Sequence, residues 1–148
     1  MKARRFLSAA FALLTIVAFT SCSKTEKKIL GDWEVTSSVL TEISSAYLNP
    51  EFNGSVWTFK DDNTVVCTQD GEAVSGTYTI TDEDDLTMTF VQSETDEDGS
   101  TWNMKIVFDM DVEEITKSDM TLDGDIAYSF VEIGLNDKAE LKMVMKKK

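Results

Sequence analysis

The sequence has 148 residues, with 14 basic and 27 acidic side chains, no histidine and a formal charge of −13 at pH 7. That balance argues against nucleic acid or anionic lipid as a partner of the protein surface, because neutralising phosphates needs lysine or arginine patches. The missing histidine removes the commonest general base and metal ligand.

The chain opens with a short cationic stretch, Met1-Lys2-Ala3-Arg4-Arg5, followed by an apolar run from Phe6 to Phe19. At about 14 residues the run has the length of a signal-peptide core and falls short of the ~20 residues a spanning helix needs. Phe19-Thr20-Ser21-Cys22 follows and resembles a lipobox, in which small residues precede an obligatory cysteine. The resemblance implies cleavage after residue 21 and acylation of Cys22, and two or more acyl chains anchor a protein stably to a bilayer. Residues 1–21 are therefore expected to be a signal peptide, 22–28 a lipidated tether and 29–148 a single folded domain. Cleavage removes Lys2, Arg4 and Arg5 and no acidic residue, which leaves 11 basic against 27 acidic side chains and a formal charge of −16.

Gly31 to Ser38 alternates apolar and polar residues, placing Trp33 and Val35 on one face of a first strand. Thr41 to Asn53 breaks that pattern. Ile43, Ala46 and Tyr47 fall there at helical spacing before Asn49-Pro50, so a short helical lid is expected after the first strand. Val56 to Phe59 and Thr64 to Thr68 read as a hairpin turning at Asp61-Asp62-Asn63. Asp70-Gly71 makes the next turn. Val74 to Ile80 is a strand in which Gly76 marks a bulge or a close approach. Leu86 to Phe90 alternates after an acidic turn. Beyond Asp96 to Gly99, the residues Trp102, Met104, Ile106, Phe108, Met110 and Val112 recur at strict period two, the mark of a long half-buried strand. Met120 and Leu122 lead to a turn signal at Asp123-Gly124, after which Ile126, Tyr128 and Phe130 alternate. Leu141, Met143 and Met145 form a last strand. Lys146-Lys147-Lys148 reads as a solvated tail.

Eight to nine short strands with acidic or glycine turns predict an all-β, single antiparallel barrel. With Cys22 acylated, Cys67 has no partner for a disulfide, and its place in Val65-Val66-Cys67-Thr68 suggests a buried, inert thiol.

Leu30-Gly31-Asp32-Trp33 resembles the Gly-x-Trp motif that opens lipocalins, whose tryptophan plugs the closed end of the barrel. Trp57 to Val65, Ser75 to Ile80 and Met120 to Leu122 resemble phrases of the short lipocalin-like domains found in lipoproteins of Bacteroidota. The resemblance runs from about Ile29 to Lys146. It implies a lipocalin-like barrel on a membrane anchor. Two features depart from lipocalins: no basic residue that would stack on Trp33 is apparent, and the chain ends on a strand rather than a helix.

No catalytic constellation stands out, so an enzyme is not expected and no cofactor is implied. Asp96, Asp98 and Ser100 around Gly99 echo part of a calcium loop, but the closing glutamate is absent, since that position is Val107; a plain hairpin turn is the expectation, with no metal. The side chains expected to face the barrel interior, and hence any small apolar ligand, are Trp33, Trp57, Phe59, Tyr78, Met88, Phe90, Trp102, Met104, Phe108 and Met143. A cup lined by Met88, Met104 and Met143 would suit such a ligand. A filled barrel would instead suit a protein-interaction module in an envelope complex. Ser23 directly after Cys22, with no acidic run behind it, points to the outer membrane and to its periplasmic face.

Overall fold

The computed structural model describes residues 24–42, 50–130, 132 and 134–148. A short helix, α1 (Lys24–Ile29), precedes eight strands: β1 (Gly31–Thr41), β2 (Val56–Phe59), β3 (Thr64–Gln69), β4 (Glu72–Thr81), β5 (Asp85–Thr95), β6 (Thr101–Ile115), β7 (Asp119–Phe130) and β8 (Leu135–Lys147). Each strand pairs antiparallel with the next, and β8 returns to β1 to close the barrel. The expected all-β barrel is therefore what the chain forms. Closure leaves no edge strand to be covered.

Period-two burial runs through every long strand. Leu86, Met88 and Phe90 on β5, Phe108, Met110 and Val112 on β6, and Leu141, Met143 and Met145 on β8 all point inward and are buried. Bulges at Val35/Ser37 on β1 and Val112/Glu114 on β6 shift the register and bend the strands, as closing a sheet requires. An eight-stranded barrel has an interior just wide enough for side chains to fill.

Four expectations are corrected here. First, Asp123-Gly124 is no turn: β7 runs straight through it, paired with β6 on one side and β8 on the other, so the strands number eight. Gly124 is needed for a close approach instead, since a Cβ there would lie 2.2 Å from the Asp109 carbonyl oxygen. Second, residues 24–29 are a helix rather than a loose tether. Thr25 and Ile29, four apart and so on one helical face, are buried, and Lys28 Nζ donates to the Ile115 carbonyl at 3.1 Å.

Third, Trp33 does have a cationic partner. Lys147 Nζ sits 4.9 Å from its ring centroid and donates to the carbonyls of Leu30 (2.6 Å) and Lys28 (3.3 Å). The C-terminal lysines are thus no mere tail: β8 carries Lys147 onto the end of the barrel, where it ties α1 to Trp33. Fourth, Trp102 does not face the core. It is 36 % exposed, and its Nε1 donates to Asp96 Oδ2 at 2.6 Å. Beyond Phe90 and before Met104 the β5–β6 hairpin runs past its pairing with β4 and β7, so among the described residues no further strand continues the wall beside the ring.

The expected helical lid falls largely on residues 43–49, outside the described residues, as does Cys22. Asp96 to Ser100 is the plain hairpin turn expected: Gly99 N donates to the Asp96 carbonyl and Ser100 N to Asp98 Oδ1 (2.8 Å). The bonds from Ser100 hold the Asp98 carboxyl below its usual range.

Candidate functional site: an aromatic cup at the open pole

The two ends of the barrel differ. At the closed pole, Trp33 is fully buried and its Nε1 donates to the Ile29 carbonyl at 2.6 Å. Ile29, Met120 and Met145 are equally inaccessible. No room remains. The same pole gathers lysines distant in sequence: Lys24, Lys27 and Lys28 from α1, Lys117 from the β6–β7 turn, and Lys146, Lys147 and Lys148 from the end of β8.

At the opposite pole the interior opens into a cavity of about 190 Å³. Its floor is a box of four rings. Trp57 meets Phe108 edge-on at 5.2 Å and Phe90 at 5.6 Å, while Phe52 packs on Trp57 at 5.9 Å and on Phe108 at 5.7 Å. Such edge-to-face pairs each add about 0.5–1.5 kcal/mol beyond burial. Ile106, Val74 and Cys67 continue the apolar wall, and Gln69, Glu72 and Gln92 form the rim.

The box is held by short local bonds. Ser55, fully buried, donates its hydroxyl to the Phe52 carbonyl at 2.6 Å and accepts from Trp57 Nε1 at 2.9 Å. Asn53 Oδ1 accepts from Ser38 N at 2.7 Å, fastening the 52–55 turn to β1. Gly76 serves the wall as well. A Cβ there would meet the Phe90 ring at 2.7 Å, so the bare backbone is what lets that ring lie across β4.

Of the side chains expected inside, Trp57, Phe90 and Phe108 line the cup. Trp33, Phe59, Tyr78, Met88 and Met143 are buried in the packed part of the barrel, and Met104 is half-buried against that core. The cup is lined by aromatic side chains and not by the methionines that would have suited a ligand: Met88 and Met143 are wholly enclosed and have no surface to offer a guest. Cys67 is half-buried rather than buried, and lines the cup. Burial raises its thiol pKa to about 11, against a weaker lowering by Ser55, so it is no thiolate nucleophile at neutral pH. Phe52 escaped the sequence reading because it lies in an irregular segment with no period. The turn signal Asn53-Gly54 after an aromatic was its only trace.

Tyr128, buried and facing inward on β7, has its hydroxyl pKa raised by burial first and by the Asp137 carboxylate second. Among the described residues no group of three or more Cys, Asp or Glu side chains is arranged to hold a metal ion, and no helix is long and apolar enough to cross a membrane. The chain matches no protein-family profile, no curated protein and no solved structure.

Proposed function

We propose that the protein is a lipocalin-like lipoprotein of the outer membrane, acylated at Cys22, whose barrel takes a small apolar ligand in the cup. The observation that carries this reading is the placement of the aromatic cup at the pole opposite α1. The helix begins two residues after Cys22 and is docked on the closed pole, so an anchored barrel turns its filled, lysine-bearing end to the bilayer and its cup away from it. A guest then arrives from the aqueous side. The affinity comes from covering four aromatic rings, roughly 25 cal/mol for each Å² of apolar surface removed from water.

Cys67 is a built-in reporter. With Cys22 acylated it is the one remaining thiol, and it lines the cup. Its reaction with a small methylating thiol reagent at pH 9 is expected to slow in proportion to occupancy as short apolar compounds are added. A rate indifferent to the whole series contradicts the cup. The anchor is read separately, by incorporation of a labelled fatty acid that is lost in Cys22→Ala.

A second reading, an interaction module in an envelope complex, draws on exposed apolar side chains near the mouth: Trp102, Leu135 and Val91. It predicts that a cup plugged by alkylated Cys67 leaves partner cross-linking unchanged, while Trp102→Ala weakens it.

A further inference from the structure

The cup's floor offers a ligand no free polar group. Trp57 Nε1 is taken up by Ser55 Oγ, and the Ser55 hydroxyl is taken up by the Phe52 carbonyl. Any polar end of a guest must therefore sit at the mouth, since burying it on the rings without a partner costs about 1–3 kcal/mol.

The one formal charge among the described residues that line the mouth is negative. Gln69 donates one Nε2 hydrogen to the Glu51 carbonyl at 2.7 Å, which leaves its amide oxygen and a second N–H, and Gln92 adds another neutral amide. Glu72 supplies a carboxylate, which accepts hydrogen bonds and donates none. Among the described residues no lysine or arginine lines the cup. Asp137, which β8 turns inward in this half of the barrel beside Tyr128, is also acidic. The field of a chain with formal charge −13 adds to the same bias, drawing cations and repelling anions.

Resting on the cup reading above, we infer that the cup selects a small cationic amphiphile: an alkyl or aryl tail on the aromatic floor and a protonated amine at the rim, held by Glu72 and the Gln69 amide oxygen. Carboxylate amphiphiles such as fatty-acid anions are disfavoured, because they place negative charge against Glu72 with no basic residue to receive it. The volume sets the tail. At about 30 Å³, the volume one water takes up in the liquid, the 190 Å³ cavity has room for roughly six groups of that size.

The test is calorimetric titration of the full protein with three probes of equal tail, hexylamine, hexanol and hexanoate, at pH 7 and moderate salt. Hexylamine is expected to bind tightest and hexanoate weakest, with a span of about tenfold. Glu72→Lys, an exposed position at a strand end, is expected to reverse the order of amine and carboxylate. Val74→Trp, which fills the cup, is expected to abolish binding of all three. Hexanoate binding as tightly as hexylamine overturns the inference and leaves the cup standing. Hexylamine binding that survives Val74→Trp, or an order untouched by Glu72→Lys, overturns it too, because the amine is then held by general surface charge. Silence from all three probes overturns the cup reading itself.

Discussion

At the closed pole the inward side chains meet in the middle of the barrel, and at the open pole they stop short. The two poles use the same ingredients, tryptophan and aliphatic chains on alternating strand positions. They differ in what lies above them. Trp33 is roofed by α1 and clamped by Lys147, with its ring nitrogen bonded to the helix's last carbonyl. Trp57 is flanked by Phe52, Phe90 and Phe108 but bears a cavity above its rings. A helix docked across a barrel mouth converts an aromatic layer into core. Among the described residues no helix lies across Trp57, and the same kind of layer is left with a cavity above it.

If the closed pole carries stability and the open pole carries binding, substitutions should separate accordingly. Trp33→Ala should have the largest effect, about 3–5 kcal/mol of lost stability in urea unfolding. Gly124→Ala comes next at about 1–3 kcal/mol, since the added methyl group meets β6 backbone that cannot yield. Lys147→Met should cost about 1–2 kcal/mol by removing the contact with Trp33 and the bonds to two carbonyls.

The Cys67 thiol sharpens the comparison by pH. Its folded pKa of about 11 lies above the ordinary value of 9.0. Between those values the unfolded chain sheds the proton and the folded chain keeps it, so stability is intact below pH 9 and falls as pH rises toward 11. Solvent at this part-exposed site limits the loss to roughly 1 kcal/mol. Thermal unfolding at pH 8 and pH 10.5 should show it as a difference between the native protein and Cys67→Ala. The smallest effects belong to the rim. Trp102→Ala and Glu72→Gln should leave stability within about 0.5 kcal/mol while changing ligand or partner binding. A rim substitution that cost as much as Trp33→Ala would erase the distinction between the poles.

Much of the barrel is legible from alternation alone. Trp33 with Val35, Leu86 with Met88 and Phe90, and Phe108 with Met110 and Val112 face inward because period two leaves them no other choice. Local signals mislead where pairing on both sides outweighs them. Asp123-Gly124 has the chemistry of a turn, yet two full ladders hold it extended. The six residues of α1 are too few to display a helical period, and their basic face reads as a tether. Lys147 could not be matched to Trp33 from sequence, because the match exists only once β8 closes on β1 in one register. The cup is the least legible part. It depends on which inward residues of several strands meet at one level, and on Phe52 from a loop.

The most direct test of the central claim is native mass spectrometry of the protein exported by a bacterial host, comparing it with Val74→Trp. The cup account predicts a bound small-molecule mass, carried in or acquired from the amphiphile series, that leaves on denaturation and is missing from Val74→Trp. Identical bare masses for both proteins after incubation with that series would contradict it.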